Sequence, residues 1–142
     1  MKGYAMKKTI CFFFLCLLPL LSLVTGCAAR RGGAPEKKEV PFTVVSPDDI
    51  PGELAVIIEE NKQGELKLTF EDGKDRYLVR GYGEQKSGGY SIAVNEVYLA
   101  ADGLHADTSL IGPSKDQEIK EEASYPCLVL KLAAGDEEIF FD

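Results

Sequence analysis

The stretch that decides the fold is residues 66–82, with the sequence LKLTFEDGKDRYLVRGY. Its first half alternates apolar and polar side chains, which is the period of a strand with one buried face. The EDGK segment at residues 71–74 favours a tight turn, and the second half is rich in tyrosine, leucine and valine. We therefore predict a β-hairpin, with a kink or bulge in its second strand where Gly81 and Gly83 flank Tyr82.

The rest of the chain repeats this pattern of strands and turns. Residues 90–100 form a long apolar segment whose phase shifts at Asn95-Glu96, and a β-bulge there would explain the shift. A tight turn at Asp102-Gly103 leads into a return strand. In all, about seven strands are predicted, at residues 40–45, 66–70, 76–82, 90–100, 104–110, 127–132 and 138–141.

One segment has the period of a helix. Residues 52–62 place Leu54, Ile57 and Ile58 on one face, at spacings of three and four residues. The continuous apolar run at residues 127–132 is typical of a central strand. The predicted fold class is α+β and mainly β, an antiparallel β-sandwich or open barrel with the helix covering one side.

The amino-terminal segment has the organisation of a secretory signal. Basic residues precede a charge-free apolar run over residues 9–24. The run ends in VTGC, which resembles a bacterial lipobox with Cys27 as its last residue. The resemblance implies cleavage before Cys27, lipidation of its thiol and acylation of the new amino terminus. The alternative is ordinary secretory cleavage or an uncleaved anchor, although the run contains Pro19 and is shorter than the roughly 20 residues of a membrane span.

Three segments follow from this signal. They are a signal peptide at residues 1–26, a flexible tether at 27–39 and one domain at 40–142. Without the signal peptide, 116 residues remain, with 13 basic and 23 acidic side chains and a net charge of −10. This acidic charge argues against binding to nucleic acid or to anionic lipid, so the lipid on Cys27 would attach the protein to the membrane. We expect a location in the cell membrane or envelope, facing outside the cytoplasm.

The domain offers few groups for catalysis or metal binding. Cys127 is its single cysteine, so an intramolecular disulfide is excluded, and its apolar context predicts a buried, inert thiol. His105 is the only histidine and is expected to face water or a satisfied pocket. One histidine and one cysteine are too few for a zinc site, and no serine lies in a nucleophile-elbow context. We therefore predict a protein that is not an enzyme and that uses no metal or cofactor.

The loop GEQKSGGYSI at residues 83–92 stands out from this background. Gly88 and Gly89 permit backbone angles that other residues rarely adopt, and Tyr90 leads back into a strand. Two interpretations stay open. In the first, the glycines only permit a bulged hairpin and Tyr90 fills the core. In the second, the segment is an exposed recognition loop on a rigid sheet.

The same loop carries a family resemblance. The pattern GxxxxGGYSI, followed by IGP at residues 111–113 and by SYP at 124–126 before LVLK, resembles the PrcB-like family. The family takes its name from a component of a protease complex. The resemblance extends over about residues 51–141 and is strongest over 81–131. It implies a small β-rich protein, secreted or lipid-anchored, with a non-catalytic role in binding and stabilising an extracytoplasmic protease complex.

We therefore predict a protein-binding module whose partner is another protein, for example a protease. The predicted partner-binding residues are Gln85, Lys86, Ser87, Gly88, Gly89, Tyr90, Tyr125 and Pro126. The glycines would shape the loop, Gln85 and Lys86 would supply hydrogen bonds and charge, and Tyr90 would supply apolar area or anchorage. Two other functions stay open. One is a protease inhibitor, because the loop distantly resembles that of chagasin-like inhibitors, and the other is a lipoprotein that binds cell-wall glycan or a small ligand.

Overall fold

The computed structural model describes residues 36–142, which lie within one compact unit. They form eight strands, one α-helix and one short 3₁₀-helix. In chain order these are β1 (Lys38–Glu39), β2 (Thr43–Val44), the 3₁₀-helix (Pro47–Asp49), α1 (Gly52–Asn61), β3 (Glu65–Asp72), β4 (Asp75–Tyr82), β5 (Ser91–Leu99), β6 (Leu104–Ile111), β7 (Cys127–Ala133) and β8 (Ile139–Phe141). Within this part of the chain, no helix combines the length and apolar character that a membrane span requires.

The strands form two four-stranded sheets. The first sheet has the order β1-β5-β6-β8 and the second has the order β2-β7-β4-β3. All pairs are antiparallel except β6 with β8, which is parallel. The sheets are not closed into a barrel, so the fold is a β-sandwich with one helix. The predicted α+β, mainly β class is confirmed, and β7 is one of the two inner strands of its sheet, as its continuous apolar run predicts.

The hairpin of β3 and β4 is regular along its whole length. Its register runs without a shift from Glu65–Tyr82 to Asp72–Asp75, so the bulge predicted in β4 is wrong. Gly81 has another role there, because a Cβ atom at this position would lie 3.0 Å from the Cβ of Leu66 on the neighbouring strand. The glycine therefore lets the Leu66 side chain lie over the backbone of β4.

The hairpin of β5 and β6 confirms the other predicted irregularity. The register shifts between Val94 and Glu96, where the apolar phase of the sequence changes. A tight turn follows, with the Ala100 amide donating to the Gly103 carbonyl at 2.8 Å. Beyond the bulge, β6 buries alternate residues beginning with Leu104, as its sequence predicts.

The segment at residues 40–45 differs from the predicted single strand. Its residues Thr43 and Val44 form β2, which pairs with β7, whereas Val40 directly follows β1, which pairs with β5. The Val40 amide donates to the Val97 carbonyl of the first sheet at 3.0 Å. The Val45 amide donates to the Val129 carbonyl of the second sheet at 2.9 Å. Strand β1 itself comprises Lys38–Glu39, just ahead of this segment.

The core has two layers. The side chains buried between the two sheets are Leu78, Val97, Leu104, Ala106, Leu130 and Leu132. Those buried between the second sheet and α1 are Leu54, Leu66, Tyr77, Val79 and Val129. Because successive residues of a strand point to opposite faces, β4 contributes to both layers. The helix covers the outer face of the second sheet, as its apolar face predicts.

Candidate functional site

Two long loops lie at the same end of the sandwich. The first connects the end of β4 to the start of β5, and the second connects the end of β6 to the start of β7. Since the strands of a sandwich run nearly parallel or antiparallel to one another, these connections share one pole, while the turns at Gly73 and Gly103 lie at the other. We call residues 83–90 and 112–126 the two-loop surface.

Backbone hydrogen bonds join the two loops. Gln85 and Ser124 form an isolated antiparallel bridge, in which the Gln85 amide donates to the Ser124 carbonyl at 2.8 Å and the Ser124 amide donates back at 3.0 Å. The Ser124 hydroxyl donates to the Ser87 carbonyl at 2.6 Å. Further along, the Gly88 amide donates to the Lys120 carbonyl at 2.9 Å. The first loop is thus fixed to the second along most of its length.

Gly89 is the position at which this arrangement requires a glycine. Its φ is +85°, and a Cβ atom there would lie 2.9 Å from the Pro113 Cβ and 3.0 Å from the Ile119 Cγ2. Both the left-handed backbone and the close approach of the second loop therefore exclude a side chain. Gly88 is different, because a Cβ atom there would lie 3.7 Å from its nearest neighbour, the Lys120 carbonyl oxygen, which is an ordinary contact distance.

The base of the two-loop surface is attached to the end of α1. The Glu84 amide donates to the Gln63 carbonyl at 3.1 Å, and Gly83 has a φ of +70°, with no room for a side chain beside the same carbonyl. The Tyr125 hydroxyl donates to the Glu84 carboxylate at 3.1 Å. That hydrogen bond, with desolvation, raises the pKa of Tyr125 above its ordinary value, so the phenol keeps its proton. Lys62 lies over the Tyr125 ring, 5.0 Å from its centroid.

The eight residues predicted to bind a partner all lie on or beside this surface. Lys86 and Gly89 are exposed, whereas the other six are partly buried: Gln85, Ser87, Gly88, Tyr90, Tyr125 and Pro126. The Gln85 side chain donates to the Tyr82 carbonyl at 3.0 Å, so it is engaged within the protein. Lys86 has no ion-pair partner among residues 36–142. Tyr90 lies against Gly112, where a Cβ atom would be 3.6 Å from the ring.

Sequence reasoning missed the contribution of the second loop. Its charged stretch at residues 114–122 carries no motif, yet it supplies the contacts to Gly88 and Gly89. The one signal was Ile119, an isolated apolar residue among charged ones that remains 42% exposed. With Ile111, which is 50% exposed, it adds apolar area to an otherwise polar surface. The exposed acidic side chains of this loop are Asp116, Glu118, Glu121 and Glu122.

Cys127 follows directly after the two-loop surface, and the prediction that it is buried is wrong. It is exposed, because its direct partner on β4 is Gly81, which has no side chain to cover it. Partial desolvation of the sulfur nevertheless raises the pKa of the Cys127 thiol above its ordinary value. A thiol shifted in this direction forms less of the nucleophilic thiolate near neutral pH.

The metal-ligating groups and cavities of the described residues bear on the choice of site. Residues 36–142 contain no group of three or more metal-ligating side chains placed to hold an ion. An open cavity of about 240 Å³ lies at the opposite pole, lined by Pro41, Phe42, Thr43, Asp75, Lys131, Leu132 and Ala133. The predicted lipid-attachment residue Cys27 and the predicted signal peptide lie outside the described residues.

Fold and site together define a class: a helix-covered β-sandwich that presents two interlocked loops at one pole. Residues 76–133 match the family model described as PrcB C-terminal, and the family resemblance predicted from the sequence is confirmed. The match begins in β4 and ends in β7, so it contains the whole two-loop surface. No curated protein and no solved structure gave a significant match to the chain.

Proposed function

We propose that this protein is a lipid-anchored, extracytoplasmic and non-catalytic module that binds a protein partner through the two-loop surface. The proposed partner is a protease or a complex that contains one. The observation that carries the proposal is the fixed pairing of the two loops through the Gln85–Ser124 bridge. This pairing brings together the two sequence segments that carry the family resemblance.

The geometry of the two-loop surface supports binding to a protein rather than to a small ligand. The first loop is held in one conformation by hydrogen bonds at Gln85, Ser87 and Gly88, so little conformational entropy would be lost on binding. The side chains that this surface exposes include Lys86 and Ile119. Small-molecule sites are usually concave and mostly apolar, whereas a fixed, mixed polar and apolar surface suits a protein partner.

The family match supports the choice of partner. Residues 76–133 match PrcB C-terminal, and the PrcB name denotes a component of a protease complex. A component of this kind would bind a protease and stabilise its complex without taking part in peptide cleavage.

The surroundings of the reactive side chains support a non-catalytic role. Both ring nitrogens of His105 contact carboxylates, at 2.9 Å for Asp142 and 3.1 Å for Asp102. Neither nitrogen is left to accept a proton from a serine or cysteine nucleophile. The raised pKa of the Cys127 thiol opposes its use as a nucleophile.

The position at which the chain enters the domain would place the lipid attachment and the two-loop surface at opposite poles of the sandwich. Lys38 of β1 pairs with Leu99 at the end of β5, so the chain enters the sandwich at the pole opposite the two-loop surface. A lipid on Cys27 would be connected to that pole by about ten residues, a span of at most roughly 36 Å. The two-loop surface would then lie at the pole away from this attachment, where a neighbouring protein can reach it.

The Lys86→Glu variant tests the role of the two-loop surface. Reversing an exposed charge at a protein interface disturbs electrostatic complementarity, and we expect partner recovery to fall by about tenfold. The measurement is cross-linking in the native envelope, followed by quantitative mass spectrometry of the proteins recovered with each variant. Inhibition of a purified protease by the protein would instead favour the inhibitor alternative.

The matched control is Lys74→Glu, at an exposed lysine in the β3–β4 turn at the other pole. It carries the same change in charge and should recover the partner at the wild-type level. Equal recovery by both variants, at any level, would contradict a binding role for the two-loop surface.

The Cys27→Ala variant tests lipid anchoring. Without the thiol no lipid can be attached, so the protein should accumulate as the uncleaved precursor and should not incorporate labelled fatty acid. Gel mobility and metabolic labelling measure both effects. Cys127→Ala is the control, and it should be processed and labelled like the wild type. Normal processing of Cys27→Ala would rule out the lipoprotein assignment.

A further inference from the structure

His105 lies in a row of stacked rings on the outer face of the first sheet. Its imidazole stacks on Tyr98 of β5 at 4.8 Å and 3°, and on Phe140 of β8 at 4.8 Å and 17°. The register pairs the same residues across the strands. The side chain is only 13% exposed as a result. The histidine thus contacts both neighbouring strands with its two ring faces.

Both edges of the same imidazole meet carboxylates. Nδ1 is 2.9 Å from Asp142, which follows β8, and Nε2 is 3.1 Å from Asp102, in the turn between β5 and β6. A neutral imidazole has one N–H donor, whereas an imidazolium has two. Both contacts are therefore hydrogen bonds only when His105 is protonated, and loss of the proton would leave a nitrogen lone pair facing a carboxylate.

Strand β8 is short and pairs with a single strand of the described chain. It has three residues and pairs in parallel with β6, with the Leu104 amide donating to Glu138 at 2.8 Å and the Asp142 amide donating to Ala106 at 3.2 Å. Ile139 and Phe141 add apolar contacts to the core between the sheets. A short strand at the edge of a sheet opens more readily than the central strands, so one charged contact can change how firmly it is held.

We propose that protonated His105 is a clamp that holds strand β8 on the first sheet, and that loss of its proton loosens β8 at the sheet edge. The clamp consists of the Asp102–His105–Asp142 hydrogen bonds and the ring stack with Tyr98 and Phe140. Release of the clamp would weaken the pairing of β8 with β6. Among residues 36–142, no other strand pairs with that edge of β6.

The direction of the pH dependence follows from the charges around the ring. Desolvation disfavours the imidazolium, but the hydrogen bonds to Asp102 and Asp142 outweigh it and raise the pKa of His105 above its ordinary value. The clamp therefore stabilises the docked position of β8 fully below the ordinary histidine pKa of about 6.5. This stabilisation is lost as the pH rises through the raised pKa of His105. In turn, the His105 hydrogen bond lowers the pKa of Asp102, so that carboxylate stays charged well below neutral pH.

The other charged groups on this face do not reverse the direction of this pH dependence. Lys37 lies over the Tyr98 ring, 3.9 Å from its centroid, and pairs with Glu96 at 3.0 Å, so the two charges largely compensate each other. Asp107, two residues along β6, accepts a hydrogen bond from Asn95, and its negative charge also favours the imidazolium. The titratable groups near His105 are thus Asp102, Asp142, Lys37, Glu96, Asp107 and the Tyr98 hydroxyl.

The test is amide hydrogen exchange of the purified full chain in a mild detergent, measured between pH 5.5 and 9. Because His105 is the only histidine in the sequence, its ring NMR signals give its pKa directly. The Asp142 and Leu104 amides report the docking of β8, and the Val79 amide in β4 reports global unfolding. Protection at β8 should fall several-fold as His105 loses its proton. Each unit by which the pKa of His105 differs between the docked and undocked states corresponds to a tenfold change in the docking equilibrium of β8. Protection at Val79 should be higher than at β8 at every pH and should fall by at least the same factor, because global unfolding also separates His105 from both carboxylates.

Two variants separate the proton from the ring. His105→Phe keeps an aromatic ring in the stack but has no N–H group to donate to the carboxylates. The amides that report β8 docking should therefore be weakly protected from exchange at every pH. Asp142→Asn removes one charge, lowers the His105 pKa and should reduce the pH-dependent change, and it keeps the test available if His105→Phe does not fold. Constant β8 protection through the wild-type titration would overturn the proposal. So would a wild-type pH response in His105→Phe.

Discussion

Truncating Leu78 to alanine is expected to lower the free energy of unfolding by about 2–5 kcal/mol, the usual range for a fully buried leucine. Leu78 is 1% exposed, at the centre of the layer between the two sheets. Its strand is hydrogen-bonded to β3 on one side and to β7 on the other, so the backbone cannot move inward to fill the cavity. For a domain of this size, the melting temperature should fall by about 10 °C or more.

Thermal and chemical unfolding followed by circular dichroism measure this effect. Val56→Ala is the control, because Val56 lies on α1 and is 56% exposed. Removing its methyl groups should change stability by no more than about 0.5 kcal/mol. A loss for Leu78→Ala as small as that for Val56→Ala would contradict the sandwich core described above.

The parts of the fold that depend on local sequence could be predicted. The alternation in residues 66–71 and the Asp72-Gly73 turn are properties of adjacent residues, and the β3–β4 hairpin formed where they indicate. The phase shift at Asn95-Glu96 is also local, because a bulge moves every later side chain to the opposite face. The helix α1, predicted at residues 52–62 and observed at Gly52–Asn61, follows from its three-to-four-residue spacing in the same way.

The parts that depend on distant partners could not be predicted. The segment at residues 40–45 is apolar enough for one strand, but only the positions of β5 and β7 show that it divides between two sheets. Gly81 suggested a bulge because a glycine within a strand often marks one. Its actual neighbour is the side chain of Leu66, fifteen positions away along the chain. Cys127 is exposed for a similar reason, since Gly81 lies opposite it.

The candidate site shows the same division. The glycine-rich loop at residues 83–90 was identifiable because two adjacent glycines before an aromatic residue are unusual. The stretch at residues 114–122 carries only charged and polar residues around Ile119, and nothing local indicates that it packs on Gly89. The register that brings Gln85 to Ser124 is set by the sheets, which no pattern within either loop contains.

Replacing Gly89 by valine is expected to reduce partner binding by tenfold or more. A β-branched residue at a φ of +85° is strained, at a cost of about 1–2 kcal/mol, and its Cβ would lie within 3.0 Å of atoms of Pro113 and Ile119. The first loop must then move away from the second, which breaks the hydrogen bond from the Gly88 amide to Lys120. The two-loop surface would lose its conformation while both core layers remain intact.

Gly73→Val is the matched control for this variant. Gly73 also has a positive φ, +63°, so valine brings similar backbone strain, but no other atom lies within 4 Å of the added Cβ. The position lies in the β3–β4 turn, at the pole opposite the two-loop surface. Circular dichroism and thermal unfolding should show that both variants are folded.

The most direct test of the account is the amount of cross-linked partner that Gly89→Val recovers from the native envelope, divided by the amount that Gly73→Val recovers. If the two interlocked loops bind the partner, this ratio should be about one tenth or lower. A ratio near one, with both variants folded and at equal abundance, would show that the loops are only connections between strands and that the partner binds elsewhere.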